Sequence, residues 1–376
     1  MTGRRINVLY KPDNPDDVLV ECVILRVIVK LILKIEKLIY HSFVAVHGLK
    51  TTSDADPTTS TWTHEKSDRN WLVDYLPNCV EGRKARVMAY GYNSNPFVDS
   101  DQELLKDEAR NFLALVSARR SDVKGQRPLF MIGYSVGGIL IKQALVTAKL
   151  DESFRPIYLD THSVTFMGTP HSGARTVGLA QIVAGLADLV HFRSTRNNSY
   201  LEACKKNSLY AGEVADNYRE LFENYYVLTM YETLRTNGQM VFEKYQQLKV
   251  VPFVSAKLRL SGERERTVGC NANHVGLSKF EDDECDGWLA LKDWTSEKVK
   301  DSIEASRVRR MSGEAVDIPL SKIKCKPHVP KSQPSEPPSS EPSTAEAPRS
   351  ESPISDAPIS ESWFPNVPSL EPGQGL

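Results

Sequence analysis

Residues 128–148 read PLFMIGYSVGGILIKQALVTA. The apolar run Leu129–Ile132 enters Gly133-Tyr134-Ser135-Val136-Gly137, and an amphipathic segment, Gly138–Lys149, follows at once. A strand that turns this sharply into a helix needs small residues two before and two after the apex. Gly133 and Gly137 supply them, and Gly138 adds further room. The apex residue then holds strained backbone angles, and the helix aims its N-terminus at it, a setting that favours developing negative charge. Ser135 occupies that apex, in the strand–turn–helix context that chance G-x-S-x-G matches lack.

Outward from this stretch, short apolar runs alternate with helix-like segments between Ser42 and about Ala305. The runs are Phe43–Val46, Arg86–Tyr90, Leu129–Ile132, Val164–Met167, Tyr226–Met230 and, more weakly, Arg266–Gly269. Asp101–Arg119 and Gly138–Lys149 read as helices. This rhythm predicts an α/β domain, a mostly parallel sheet flanked by helices, over 41–305.

A serine hydroxyl needs an adjacent base to remove its proton in the transition state. Strand–turn–helix elbows of this kind take their partners in the order serine, acid, histidine. After Ser135 come His162, His171, His191, His274 and His328. The first three precede any room for an acid-bearing strand, and His328 falls in a proline-rich tail. His274, in the loop CNANHVGLSKF after the last strand, is the expected base. For the acid, YYVLTMYETLRT places Glu232 just past a strand, where a carboxylate can hold the imidazole tautomer. Asp151, Glu152, Asp160, Glu213, Asp216, Glu243, Glu263 and Glu265 are its rivals. An oxyanion hole would combine the Val136 amide with one from the loop after an early strand. FVAVHGL offers that loop: Gly48 permits the geometry, Leu49 is the expected donor, and His47 reads as a packing residue.

The composition narrows the partners. There are 47 Lys and Arg against 48 Asp and Glu, a net charge of −1, with no basic excess to suit nucleic acid. The six cysteines show no CxxC pair and no metal-ligand spacing, so no metal or cofactor is expected, and free thiols in a reducing compartment fit best. Residues 1–17 read as an N-terminal extension without the apolar core of a secretory signal. Val18–Ile39 is long enough to span a bilayer, but Glu21, Arg26, Lys30, Lys34, Glu36 and Lys37 interrupt it. Each such charge costs ~2.5–3.5 kcal/mol at a membrane centre, so residues 18–40 read as a packed helix or strand, as a cationic helix at a membrane surface, or as an insertion that does not belong to the fold. Residues 306–324 are expected to be a linker. Residues 325–376, rich in Pro, Ser and Glu, are expected to be disordered.

VHGL, Thr61-Trp62, GYSVGGILIKQAL, FMGTPHSGA, MYET and NANHVGLSKF, in that order, resemble the serine-active-site-containing protein family. Over residues 41–300 the chain is also similar to the N-terminal hydrolase domains of fungal NACHT and ankyrin-repeat proteins. The resemblance implies the α/β-hydrolase fold and a lipase- or esterase-like activity on an ester or lipid substrate. It matches Ser135, Glu232 and His274 to the family's triad, and it makes His171, in Gly168-Thr169-Pro170-His171, a site-shaping residue. It also implies association with mitochondrial or endoplasmic-reticulum membranes, with a link to phospholipid remodelling; otherwise an intracellular, cytoplasmic chain is expected. Tyr134 and Val136 depart from the family's usual histidine and leucine, and Tyr134, with His47 and Gly48, is expected to shape the site. The Val18–Ile39 block interrupts a stretch that is continuous in the family, and the chain reads as a stand-alone hydrolase. A catalytically silent module for lipid binding or signalling is the competing reading.

Overall fold

In the computed structural model the described residues are 5–10, 41–49, 56–80, 85–94, 102–121, 127–171, 218–234, 251, 256–311 and 317–323. They build a seven-stranded sheet in the order β1-β3-β2-β4-β5-β6-β7. The strands are β1 (Arg5–Tyr10), β2 (His41–Val46), β3 (Ala85–Gly91), β4 (Leu129–Tyr134), β5 (Thr161–Met167), β6 (Tyr226–Glu232) and β7 (Glu265–Cys270). All six apolar runs of the sequence are strands. Only β1 runs antiparallel, against β3. It lies inside the stretch expected as an extension, although RINVLY carries the apolar content of a short strand in Ile6, Val8 and Leu9.

Parallel strands must be buried on both faces, which is why they read as continuous apolar runs. Alternate residues then serve two cores. Val44, Val46, Met88, Tyr90 and Met131 face one apolar layer with Leu113, Leu140 and Ile141. Phe43, Ala45, Val87, Phe130 and Ile132 face the other, with Trp62, Trp71, Trp288 and Trp294. The helices are α1 (Pro57–Ser60), α2 (Trp71–Asp74), α3 (Gln102–Arg120), α4 (Val136–Leu150), α5 (Arg155–Asp160) and α6 (Asp286–Met311). Helix α6 continues past Ala305, and Leu320 beyond it is buried, so the described part of 306–324 packs on the same body.

The chain passes from β2 outward to β3 and then returns across β2 to β4. At such a reversal the loops leaving neighbouring strands diverge and open a crevice at the strands' C-terminal ends. The loops after β2 and β4 are those that carry His47–Leu49 and Ser135. This sheet, with its elbow at the reversal, is an α/β-hydrolase fold. Residues 18–40 and the tail 325–376 lie outside the described residues. Among the described residues no helix is long and apolar enough to cross a membrane.

Candidate active site

Ser135 stands between β4 and α4 with φ 55° and ψ −126°. A non-glycine residue held there stores ~1–3 kcal/mol and persists only where its surroundings fix it. Its amide donates to the Met167 carbonyl at 2.8 Å, and its carbonyl accepts from the Gly138 amide at 3.1 Å. That carbonyl also accepts from Thr169 Oγ1 at 3.0 Å. The glycines divide the steric work. A Cβ on Gly133 would fall 2.6 Å from Gly138 Cα, so strand and helix meet at this pair. A Cβ on Gly137 would fall 2.3 and 2.4 Å from the His47 and Val46 carbonyl oxygens, so Gly137 makes room for the end of β2 instead. Gly137→Ala is therefore expected to cost ~1–3 kcal/mol, because backbone cannot swing aside as a side chain can. Urea denaturation reads this as a lower midpoint; an unchanged midpoint would show the two carbonyls give way freely.

His274 opens the turn Val275–Ser278 after β7 and is buried. Its Nδ1 lies 2.8 Å from Glu232 Oε2. Glu232 ends β6, is fully buried, and accepts the Val251 amide on its other oxygen at 3.0 Å. An ionised carboxylate only accepts, so the Nδ1 of a neutral His274 carries the proton and its Nε2 is the basic nitrogen. The turn is anchored from below: Trp71 Nε1 donates to the Ser278 carbonyl at 2.8 Å, and Ser278 Oγ to the Thr61 carbonyl at 2.9 Å.

Serine and histidine border the same short turn. Met167 holds the Ser135 amide, and a Cβ on the next residue, Gly168 (φ +57°), would fall 2.9 Å from His274 Cε1. The Ser135 hydroxyl is buried and makes no hydrogen bond among the described residues.

The loop after β2 closes over the serine. A Cβ on Gly48 would fall 2.8 Å from Ser135 Cβ. His47, buried and stacked 4.5 Å from the Tyr92 ring, places Nδ1 2.7 Å from the Gly48 carbonyl oxygen. The Tyr92 amide donates to His47 Nε2 at 3.3 Å. Both contacts demand the neutral Nδ1–H tautomer. In a trans peptide the amide points opposite to the carbonyl, so the Leu49 N–H is directed away from the His47 ring. Val136 is the first residue of α4, where an amide finds no intrahelical acceptor.

His171 sits edge-on against Phe166 at 4.6 Å, buried, with no hydrogen bond at either ring nitrogen among the described residues. Burial, then the charge of Lys142, holds it well below the usual histidine range. Lys142 of α4 is itself pushed down to about 7 by burial and donates to the Pro170 carbonyl at 3.3 Å. Of the rival acids, Asp151 caps Ser153, Asp160 pairs with Arg120, and Glu265 accepts the Leu258 and Leu260 amides. Glu213, Asp216 and Glu243 lie outside the described residues. Sequence reasoning quoted Thr169 in a motif without giving it a role and passed over Tyr92 and Val251; these three hold the elbow, His47 and Glu232. Their contacts run between segments far apart in the chain; only Thr169, two residues past a strand, carried any local signal.

No family model matches the chain. Protein SERAC1 of Homo sapiens is 28% identical over 238 residues, 61% of this chain and 32% of its own length. Protein SERAC1 of Mus musculus is 28% identical over 234 residues, 60% of this chain and 31% of its own. The chain spans about a third of the length of these curated relatives. Among solved structures, the Paleococcus ferrophilus monoacylglycerol lipase matches with a TM-score of 0.36 at 12% identity, over 69% of this chain and 97% of that one. An α/β hydrolase superfamily protein from Enterococcus faecalis matches with a TM-score of 0.37 at 13% identity, over 69% and 90%. These overlaps are loose, and the fold stands on strand order and elbow. The chain is an α/β-hydrolase-fold protein whose sequence resembles the serine-active-site-containing proteins.

Proposed function

We propose that the chain is a serine hydrolase of carboxylic esters, lipid esters included, that works through an acyl-enzyme. The observation that carries this reading is the buried 2.8 Å contact between His274 Nδ1 and Glu232, beside an elbow serine. Ser135 Oγ attacks the acyl carbon while His274 Nε2 takes its proton. Glu232 orients the imidazole and stabilises the imidazolium that forms. The amides of Val136 and Leu49 receive the charge on the carbonyl oxygen, at the positive end of α4. His274 returns the proton to the leaving alcohol. Water then enters by the reverse sequence and releases the acid. No step calls for a metal, and no group of three His, Cys, Asp or Glu side chains suited to one occurs among the described residues.

Peripheral membrane contact through residues 18–40 belongs to the same proposal, since a lipid ester is met at a surface. The test of the chemistry is a fluorophosphonate probe on the full chain, with the adduct located by peptide mass mapping. We expect stoichiometric modification of Ser135 and none in Ser135→Ala. Folded protein that stays unlabelled would leave a silent hydrolase-fold module as the better reading.

A further inference from the structure

The Tyr134 side chain touches both the loop after β2 and the loop that carries His274, and it stands next to the elbow serine. It ends β4, next to Ser135, and is buried. Its ring lies against the loop after β2, where a Cβ on Gly48 would meet Cδ1 and Cε1 at 3.1 and 3.2 Å. The same ring sits 5.3 Å from the imidazole of His274, tilted by 32°. Its hydroxyl donates to the main-chain carbonyl of His274 at 3.0 Å. Trp62 braces it edge-on at 6.5 Å.

We propose that Tyr134 is a positioning residue for the base. It acts as a rigid strut whose length sets how far the His274 loop stands from the nucleophile. One end of the strut is covalently joined to Ser135. The other is pinned to the backbone of His274, not to its ring, so it fixes the loop without competing for Nε2. Glu232 fixes the imidazole's rotation from the opposite side through Nδ1. Two attachments on one residue, one to side chain and one to main chain, leave the loop little freedom to drift. That matters because an error of about 1 Å at a reacting pair can cost on the order of 100-fold in rate. Burial, then the charge of Glu232, raises the phenol above its ordinary range, so the hydroxyl stays a donor throughout the working pH.

The proposal rests on the hydrolase reading for its rate consequence, but not for its geometry. Tyr134→Phe keeps the ring and removes the pin; Tyr134→Leu removes both. With active sites titrated by the fluorophosphonate, kcat per titrated site should fall about 10-fold in Tyr134→Phe and about 100-fold in Tyr134→Leu, with KM within about 2-fold of wild type. A merely structural role would lower the melting temperature and the titratable fraction and leave kcat per site alone. A second reading needs no turnover. The Nδ1 proton shared with Glu232 should give a low-field resonance in nitrogen-15-histidine spectra, and it should shift or broaden in Tyr134→Phe. If kcat per site and the resonance are both unchanged in Tyr134→Phe, the strut is refuted. If wild-type protein neither turns over nor labels while the resonance still moves, the hydrolase reading fails and the strut stands.

Discussion

His274→Ala is expected to lower kcat toward a short-chain p-nitrophenyl ester by about 10⁴- to 10⁶-fold, with the folded state intact. The reason lies in what remains. Ser135 keeps its elbow geometry, because that is fixed by Met167, Thr169 and Gly138 and not by the imidazole. The oxyanion amides also remain, so a residual rate above water should persist. Glu232→Gln should cost about 10⁴-fold through a different route. The new amide can still accept the Val251 N–H on its oxygen, but then presents N–H to Nδ1. His274 answers by moving its proton to Nε2, and a protonated Nε2 cannot accept the serine's proton. If Glu232 acts only through His274, as proposed, the double variant should be no slower than His274→Ala alone. Steady-state kinetics on the four proteins decides the matter. Near-normal turnover in His274→Ala would remove the histidine from the mechanism, and additive losses would give the glutamate a separate role.

The elbow was legible because its demand is local: strand, small residues, serine and helix are contiguous from Leu129 to Leu150. The parallel strands were legible for a similar reason, since double-sided burial writes itself as unbroken apolar runs. His274 and Glu232 were found by order along the chain, which narrows the choice but does not bring two residues together. What joins them, the alignment of Glu232 with Cys270 four residues before the histidine, is a register between strands and leaves no mark in either segment. The division of labour among Gly133, Gly137 and Gly138 was hidden too. Spacing alone assigns Gly137 to the strand–helix approach, whereas the close pair is Gly133 and Gly138. The Tyr134 hydroxyl reaches a backbone carbonyl 140 positions on, a contact no spacing rule anticipates.

Acid should unfold the protein over a narrow range, and buried histidines other than His274 are the cause. His41 starts β2 with Nε2 3.0 Å from Ser302 Oγ; burial pushes it down to about 4. His162 of β5 packs between Phe130 and Tyr226 at 5.8 and 5.2 Å, and burial, then the charge of Lys298, holds it well below its ordinary value. His171 is held down in the same way. All three lie below the unfolded value of about 6.5, so the native state stays unprotonated where the unfolded chain takes up protons. The stability they confer is complete above pH ~6.5 and is lost as pH falls below it, for His41 down to about 4. Three protons at ~1.4 kcal/mol per pH unit each give a slope of about 4 kcal/mol per unit, against a total of ~5–15 kcal/mol. Carboxylates held low, such as Asp56, Glu65 and Glu297, act only below the ordinary carboxylate range and do not enter the upper part of this window. Asp160, raised by burial, opposes the trend but offsets at most one proton. Lys142, pushed down to about 7 by burial, still takes up its native-state proton at the top of this window, so it adds to the trend near pH 7 and drops out only below it. Urea denaturation between pH 7 and 5 should show the midpoint falling steeply, and His162→Phe, which keeps the aromatic packing, should flatten the slope by about one proton. A slope that His162→Phe leaves unchanged would move the acid sensitivity to other groups.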